Sequence, residues 1–74
     1  MNNKDRKELS TVLLILEEAK TKIESLIESE QSKFDNLSDG LQQTERGQKL
    51  EENVSVLEDA VSEIDNTIQN LSDL

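Results

Sequence analysis

The fold is decided by the stretch LEENVSVLEDAVSEIDNTIQNL, which covers residues 50–71. Its apolar residues step alternately by four and three positions, which is the spacing of one face of an α-helix. They are Leu50, Val54, Leu57, Val61, Ile64, Ile68 and Leu71. This pattern predicts one amphipathic helix, which has to bury its apolar stripe against another element.

A second stripe lies in the first half of the chain. Its members are Leu9, Val12, Leu16, Ala19, Ile23 and Leu26. If the chain turns back near residue 40, the two stripes run antiparallel, and the numbers of facing residues total 80, as for Leu9 and Leu71. We therefore predict an all-α fold, an antiparallel two-helix hairpin that packs like a coiled coil.

Turn-forming residues place the hinge of this hairpin. Asn, Ser, Asp and Gly concentrate between residues 36 and 40, and these residues favour turns. We predict a single domain over residues 1–74, with helix 1 at about 5–35, a hinge at about 36–43 and helix 2 at about 45–71. Ser38 is placed to cap a short helical turn within the hinge.

The start of helix 2 contains an N-cap candidate and a glycine. Thr44 is the residue best suited to cap the helix. Gly47 follows in the first turn, where glycine costs up to about 1 kcal/mol relative to Ala. Gly47 is either a tolerated weak spot or a position at which another backbone approaches closely.

The composition disfavours enzymatic chemistry. The chain has 74 residues and contains neither His nor Cys, so the commonest general base and the usual transition-metal ligands are absent. No glycine-rich phosphate loop and no calcium-binding loop is present. We therefore expect a protein that is not an enzyme and that has no cofactor and no metal site.

The charge balance limits the class of partner. Asp and Glu outnumber Lys and Arg by 17 to 8, which gives a net charge of −9. Such a chain is a poor ligand for nucleic acid or for an anionic membrane surface. No apolar run approaches the roughly 18 residues of a membrane span. We expect a protein that contacts neither nucleic acid nor membrane directly.

A single hairpin leaves apolar side chains without a partner. A chain of this size gains only about 3–5 kcal/mol from one core. The side chains assigned to self-association are Leu13, Leu14, Ile15, Ile27 and Val56. The simplest closed arrangement is a two-fold homodimer that forms an antiparallel four-helix bundle. The alternative is a monomer with a few exposed aliphatic residues, which is common on protein surfaces.

The stripe of helix 1 is interrupted by polar residues before the hinge. Glu30 and Lys33 occupy positions that should face helix 2, and Phe34 follows them. Phe34 is expected to pack locally with Leu37 and Leu41, or alternatively to anchor a partner.

The hinge carries a resemblance to a known family. The stretch KFDNLSDGLQ at residues 33–42 and TERG at residues 44–47 resemble small uncharacterised proteins of bacteriophages and prophages. Those proteins share a KFDNLPEGLQ hinge between acidic helices. Ser38 and Asp39 stand where the family usually has Pro and Glu. The resemblance implies an accessory protein of phage type in the cytoplasm of a bacterial host, without an assigned activity.

A specific hinge between generic helices suggests an exacting turn or a binding tip. The residues assigned to partner binding are Phe34, Asp35, Asn36, Leu37, Gly40, Leu41, Glu45, Arg46 and Gly47. For Arg46 we favour a structural role, in which it pairs with Asp35 or Asp39 across the hinge. We expect an interaction protein that binds itself and a host or phage protein. The alternatives are an acidic mimic that blocks a nucleic-acid-binding protein and a coiled coil with a structural or assembly role.

Overall fold

The computed structural model describes all residues from Met1 to Leu74 and contains three α-helices. They are α1 (Asn3–Asp35), α2 (Asp39–Gln42) and α3 (Glu45–Ser72). The long helices α1 and α3 pack against each other, and α2 lies between them in the chain and contacts α3. The protein measures 58 × 15 × 12 Å. The predicted all-helical fold is confirmed, and the elongated shape fits the predicted hairpin.

Side-chain caps explain where two of the helices begin. The Asn2 side chain accepts a hydrogen bond from the Asp5 amide at 2.8 Å, so α1 starts two residues before the predicted position. The Ser38 hydroxyl accepts from the Leu41 amide at 3.4 Å, as predicted for a cap. Thr44 precedes α3, but its hydroxyl donates to the Leu41 carbonyl and does not cap the helix. Thr44 therefore ties α3 to the preceding turn.

The register of the hairpin is visible in three polar contacts, two between the long helices and one between α1 and the residue that follows α3 by two positions. Arg6 donates to the Leu74 carbonyl, Lys20 pairs with Asp65, and Asn53 donates to Glu30. The residue numbers of these pairs total 80, 85 and 83, close to the predicted 80. The helices are antiparallel, and they fold back on each other about the hinge.

The inner face of α1 is rotated relative to the prediction. Val12 and Leu26 were expected to face the other helix, yet their side chains are 43% and 54% exposed. Leu13 and Ile27, which were assigned to self-association, are half-buried instead. The apolar stripe of α1 is wide enough for either edge to face α3. The rotation that buries Leu13 and Ile27 also brings Lys20 into contact with α3.

The hairpin has a thin core. Gly47 and Leu50 are its only two buried residues, and Leu50 is 8% exposed. The remaining apolar residues between the helices are half-buried, because two helices cover only one side of each other. None of the three helices combines the length and the apolar character that crossing a membrane requires.

Candidate interaction surfaces

The hinge is locked by hydrogen bonds from one side chain. The Gln42 amide nitrogen donates to the Phe34 carbonyl at 3.2 Å and to the Leu37 carbonyl at 3.3 Å. These two carbonyls lie at the end of α1 and in the following turn, where helical partners run out. Gln42 therefore fastens α2 to the end of α1.

Gly47 fixes how α3 leaves the hinge. A Cβ atom at this position would lie 2.7 Å from the carbonyl carbon of Gln42 and closer still to its oxygen. The backbones of α2 and α3 thus approach too closely for any side chain at residue 47. This decides between the two interpretations of Gly47 in favour of a close approach. Leu50, almost one turn later on the same face, is the buried hydrophobic residue of the chain.

The residues assigned to partner binding divide into packed and exposed groups. Gly47 is buried, and Phe34 and Leu37 are half-buried, in agreement with local packing of the phenyl ring. The exposed members are Asp35, Asn36, Gly40, Leu41, Glu45 and Arg46. Sequence reasoning did not identify the two hydrogen bonds by which the Gln42 side chain holds the hinge.

Two exposed residues of the hinge, Leu41 and Arg46, are available for contact with a partner. Leu41 is 52% exposed although it is apolar. Arg46 forms no ion pair, and Asp35 instead accepts a hydrogen bond from the Gln31 side chain at 3.0 Å. The structural role in which Arg46 pairs with Asp35 or Asp39 is therefore wrong. A cation near a helix N-terminus also opposes the helix dipole, so no local interaction explains Arg46.

A polar cluster interrupts the contact between α1 and α3. Glu30 accepts from the Asn53 side chain at 3.2 Å and from Lys33 at 3.0 Å. The hydrogen bond from Asn53, followed by that from Lys33, lowers the pKa of Glu30 below its usual value. The predicted polar break is thus present, and its charged members are paired.

A groove of about 410 Å³ lies beside this cluster. Its apolar lining comes from Leu26 of α1 and from Val56 and Leu57 of α3. Leu26 and Val56 are more than half exposed, so the groove is open to solvent. Because they line the same groove, these two residues lie on the same side of the hairpin.

Further apolar residues extend this side along the protein. Ile15 and Val12 precede Leu26 by three and four helical turns, and therefore lie on nearly the same face of α1. Ala60 follows Val56 by about one turn on α3. We call this surface the apolar side, and it consists of Val12, Ile15, Ala19, Leu26, Val56 and Ala60. Of the residues assigned to self-association, only Ile15 and Val56 belong to it.

The remaining exposed aliphatic residue of that assignment is isolated. Leu14 is 65% exposed, and its neighbours in a shallow depression include Glu17, Glu18 and Lys22. A single leucine surrounded by charges is ordinary surface. Leu14 therefore does not extend the apolar side.

The opposite side of the hairpin is charged. Lys20 and Asp65 are joined there by an ion pair of 2.7 Å between Nζ and Oδ1. The hydrogen bond to Asp65 raises the pKa of Lys20 above its usual value. The exposed aliphatic residues thus lie on one side of the hairpin, where Glu30, Lys49 and Glu52 also line the groove, and the ion pair of Lys20 with Asp65 lies on the other side.

The protein therefore offers two distinctive surfaces, the exposed hinge and the apolar side. Neither contains three or more acidic side chains grouped so that they could hold a metal ion. Comparison of the chain with protein-family models, with curated proteins and with solved structures finds no match.

Proposed function

We propose that this chain is a non-enzymatic interaction protein with two contact surfaces. Its apolar side joins two copies, and its hinge binds a different protein. The observation that carries the second part is the hinge, where a locked backbone presents exposed Leu41 and unpaired Arg46. A rigid surface loses little conformational entropy on binding, and arginine is enriched among residues that dominate binding energy.

The scaffold in this proposal is a homodimer that forms a four-helix bundle. The thin core supports it, since only Gly47 and Leu50 are buried in one hairpin. A single core of this size supplies only about 3–5 kcal/mol. Covering the apolar side with a second copy removes exposed side chains such as Leu26 and Val56 from water.

The exposed side chains of the hinge indicate which groups a partner must offer. Leu41 requires an apolar pocket, and Arg46 requires a carboxylate or a group of similar charge. The resemblance of the hinge to phage-encoded proteins suggests an accessory protein that binds a host or phage protein in the bacterial cytoplasm. We propose this cellular role together with the binding mode.

Binding through the hinge is tested with two pairs of matched variants. Affinity capture from host extract should identify a defined partner, and titration should then give its affinity for each variant. Arg46→Ala should weaken binding at least tenfold, whereas Lys49→Ala, a nearby cation that already pairs with Glu52 at 4.0 Å, should change it little. Circular dichroism must show that each variant keeps its helices.

The second pair compares two exposed leucines. Leu41→Ala should weaken binding to the captured partner, while Leu14→Ala should not, although Leu14 is the more exposed residue. Both substitutions remove the same atoms from the surface. If Leu41→Ala and Arg46→Ala bind the partner as tightly as the unaltered protein, the hinge is not the binding surface.

A second candidate function is supported by the charge of α3. Six acidic residues of this helix are exposed: Glu45, Glu51, Glu52, Glu58, Asp59 and Glu63. Such a surface resembles the phosphates of nucleic acid to a basic groove. This acidic mimic predicts binding to a basic protein that weakens steeply between 50 and about 300 mM salt. Binding that is indifferent to salt supports the hinge instead.

A further inference from the structure

We propose that the two copies pack through their apolar sides with both hinges at the same end of the bundle. In this arrangement α1 of each copy lies over α3 of the other. The inference rests on the proposed self-association and adds the orientation of the two copies. The inference is based on the positions of the exposed residues along the long axis of the hairpin and on the net charge of each long helix.

The whole face of the hairpin that carries the apolar side is large enough for a stable contact. A face of 58 by 15 Å projects to about 870 Å², and stable interfaces bury about 800 Å² on each partner. A second copy of the chain presents a surface of the same length and width. It can therefore cover the whole apolar side, including the groove between Leu26 and Val56.

The positions of the exposed residues along the long axis of the hairpin favour a dimer with both hinges at the same end. Glu30 lies opposite Asn53, so Leu26, about one turn away on α1, lies at the level of Leu57 and its neighbour Val56. Rotation about the long axis of the bundle keeps every residue at its level. It therefore places Leu26 of one copy next to the partner's Val56 on both sides of the axis, where each fills the groove of the other copy.

The charges of the two helices favour the same orientation. Residues 1–35 carry six basic and eight acidic groups, a net of −2, and residues 36–74 carry two basic and nine acidic groups, a net of −7. Rotation about an axis across the bundle would stack α3 on the partner's α3 and bring the two most acidic segments together. Rotation about the long axis stacks α1 on α3 and reduces this repulsion, because the segment with a net charge of −2 then faces the segment with a net charge of −7.

One specific ion pair follows from the register. Lys20 lies opposite Asp65. Because the helices are antiparallel, Lys22, two residues after Lys20, lies at the same height along the hairpin as Glu63, two residues before Asp65. Lys22 follows Ile15, and Glu63 follows Val56, by seven residues, which is about two turns, so both lie beside the apolar side. With the hinges together, Lys22 of each copy meets the partner's Glu63. With the hinges apart, α1 stacks on the partner's α1, so Lys22 does not meet the partner's Glu63.

This orientation has a consequence for the hinge. The two hinges lie within one bundle width of each other, because packed helices are about 8–10 Å apart. Both copies of Leu41 and Arg46 then lie at the same end of the dimer. The dimer presents a paired binding tip, which suits a partner that offers two equivalent sites or one two-fold symmetric site.

Distances between spin labels test the orientation directly. The chain has no Cys, so a single label is introduced at the hinge by Gln43→Cys and near mid-length by Ser62→Cys. Hinges at the same end predict about 30 Å or less between the Gln43→Cys labels, given the spacing of packed helices. Hinges at opposite ends of a bundle that is 58 Å long predict far longer separations.

The label at residue 62 separates the two proposals. A short distance there with a long distance at residue 43 shows a dimer whose hinges lie apart, which overturns the orientation and leaves self-association intact. A monomer by sedimentation at micromolar concentration, with no distance at either position, overturns both. Short distances at both positions support the orientation.

Charge reversal tests the predicted ion pair. Lys22→Glu and Glu63→Lys should each weaken dimerisation about three- to tenfold, because two-fold symmetry repeats an effect that is modest for one exposed pair. Combining them should restore the dissociation constant to within about twofold of the original. Glu58→Lys is the control, because it changes the net charge as Glu63→Lys does but lies on the opposite face of α3. Failure of the double variant to recover contradicts the pair.

Discussion

Replacing Gly47 by alanine should destabilise the protein, although the same change in most helices is stabilising. Alanine normally gains up to about 1 kcal/mol over glycine inside a helix. At residue 47 the added methyl group would lie 2.7 and 2.8 Å from two backbone carbons of Gln42. Carbon atoms attract each other at about 3.5–4.0 Å, so α2 and α3 have to separate by roughly 1 Å.

The expected cost follows from this displacement. Overpacking a well-fitted contact costs about 1–3 kcal/mol, and the helical preference of alanine offsets up to about 1 kcal/mol of it. We therefore expect a net loss of about 1–2 kcal/mol. In a chain of this size each kcal/mol lowers the midpoint of thermal unfolding by about 4–8 °C.

The measurement is urea unfolding followed by circular dichroism at a fixed protein concentration, because self-association makes apparent stability depend on concentration. The matched control is Gly40→Ala, since nothing lies within 4 Å of a Cβ at Gly40. This control should be neutral or stabilising by about 0.5 kcal/mol. If Gly47→Ala is as stable as Gly40→Ala, the close approach of the two backbones is refuted.

Two further predictions concern the contact between the long helices. Leu50→Ala should lower the free energy of unfolding by about 2–3 kcal/mol, because it removes the buried leucine, while Leu14→Ala should change it by less than about 0.5 kcal/mol in the same unfolding assay. Asn53→Ala should raise the pKa of Glu30 measured by NMR titration, because the hydrogen bond from Asn53 is the main cause of its lowered value. The contribution of Glu30 to the free energy of unfolding is present above the unfolded-state pKa of about 4.3 and disappears as the pH falls through the folded-state pKa. If the pKa of Glu30 is unchanged in Asn53→Ala, the hydrogen bond from Asn53 is not the cause of the lowered value.

The polar contacts between α1 and α3 also bear on the uniqueness of the fold. A stripe of similar aliphatic residues tolerates slippage by whole heptads, since every seventh position looks alike. Sliding α3 by one heptad would separate Lys20 from Asp65 and Glu30 from Asn53. A slide that brings Ser72 opposite Lys20 and Ala60 opposite Glu30 would leave both charged groups without an ionic partner, which is costly. The two pairs therefore favour the observed register over that one, whereas the opposite slide would bring Glu58 to Lys20 and Arg46 to Glu30.

The sequence by itself determined the helices and the place of the turn. Apolar residues at intervals of three and four specify an α-helix whatever it packs against, since the periodicity is a property of the helix. The cluster of turn residues after Phe34 placed the hinge, and Ser38 was recognisable as a cap because capping acts within a few residues. These features depend on neighbours along the chain.

The tertiary structure alone decided which edge of α1 faces α3. The sequence favoured Val12 and Leu26, while the packed hairpin buries Leu13 and Ile27 instead. Both edges are apolar, and the choice depends on the fit of side chains that lie far apart in the sequence. That choice exposes the apolar side on which the proposed dimer rests.

The same holds for the hinge. The sequence left open whether Gly47 is a weak spot or a point of contact, and it suggested an ion pair for Arg46. The close approach of the Gln42 backbone and the solvent-exposed, unpaired guanidinium of Arg46 are visible only when the three helices are assembled. Periodicity fixes local structure through bonded neighbours, whereas packing and the availability of a side chain depend on contacts that the fold creates.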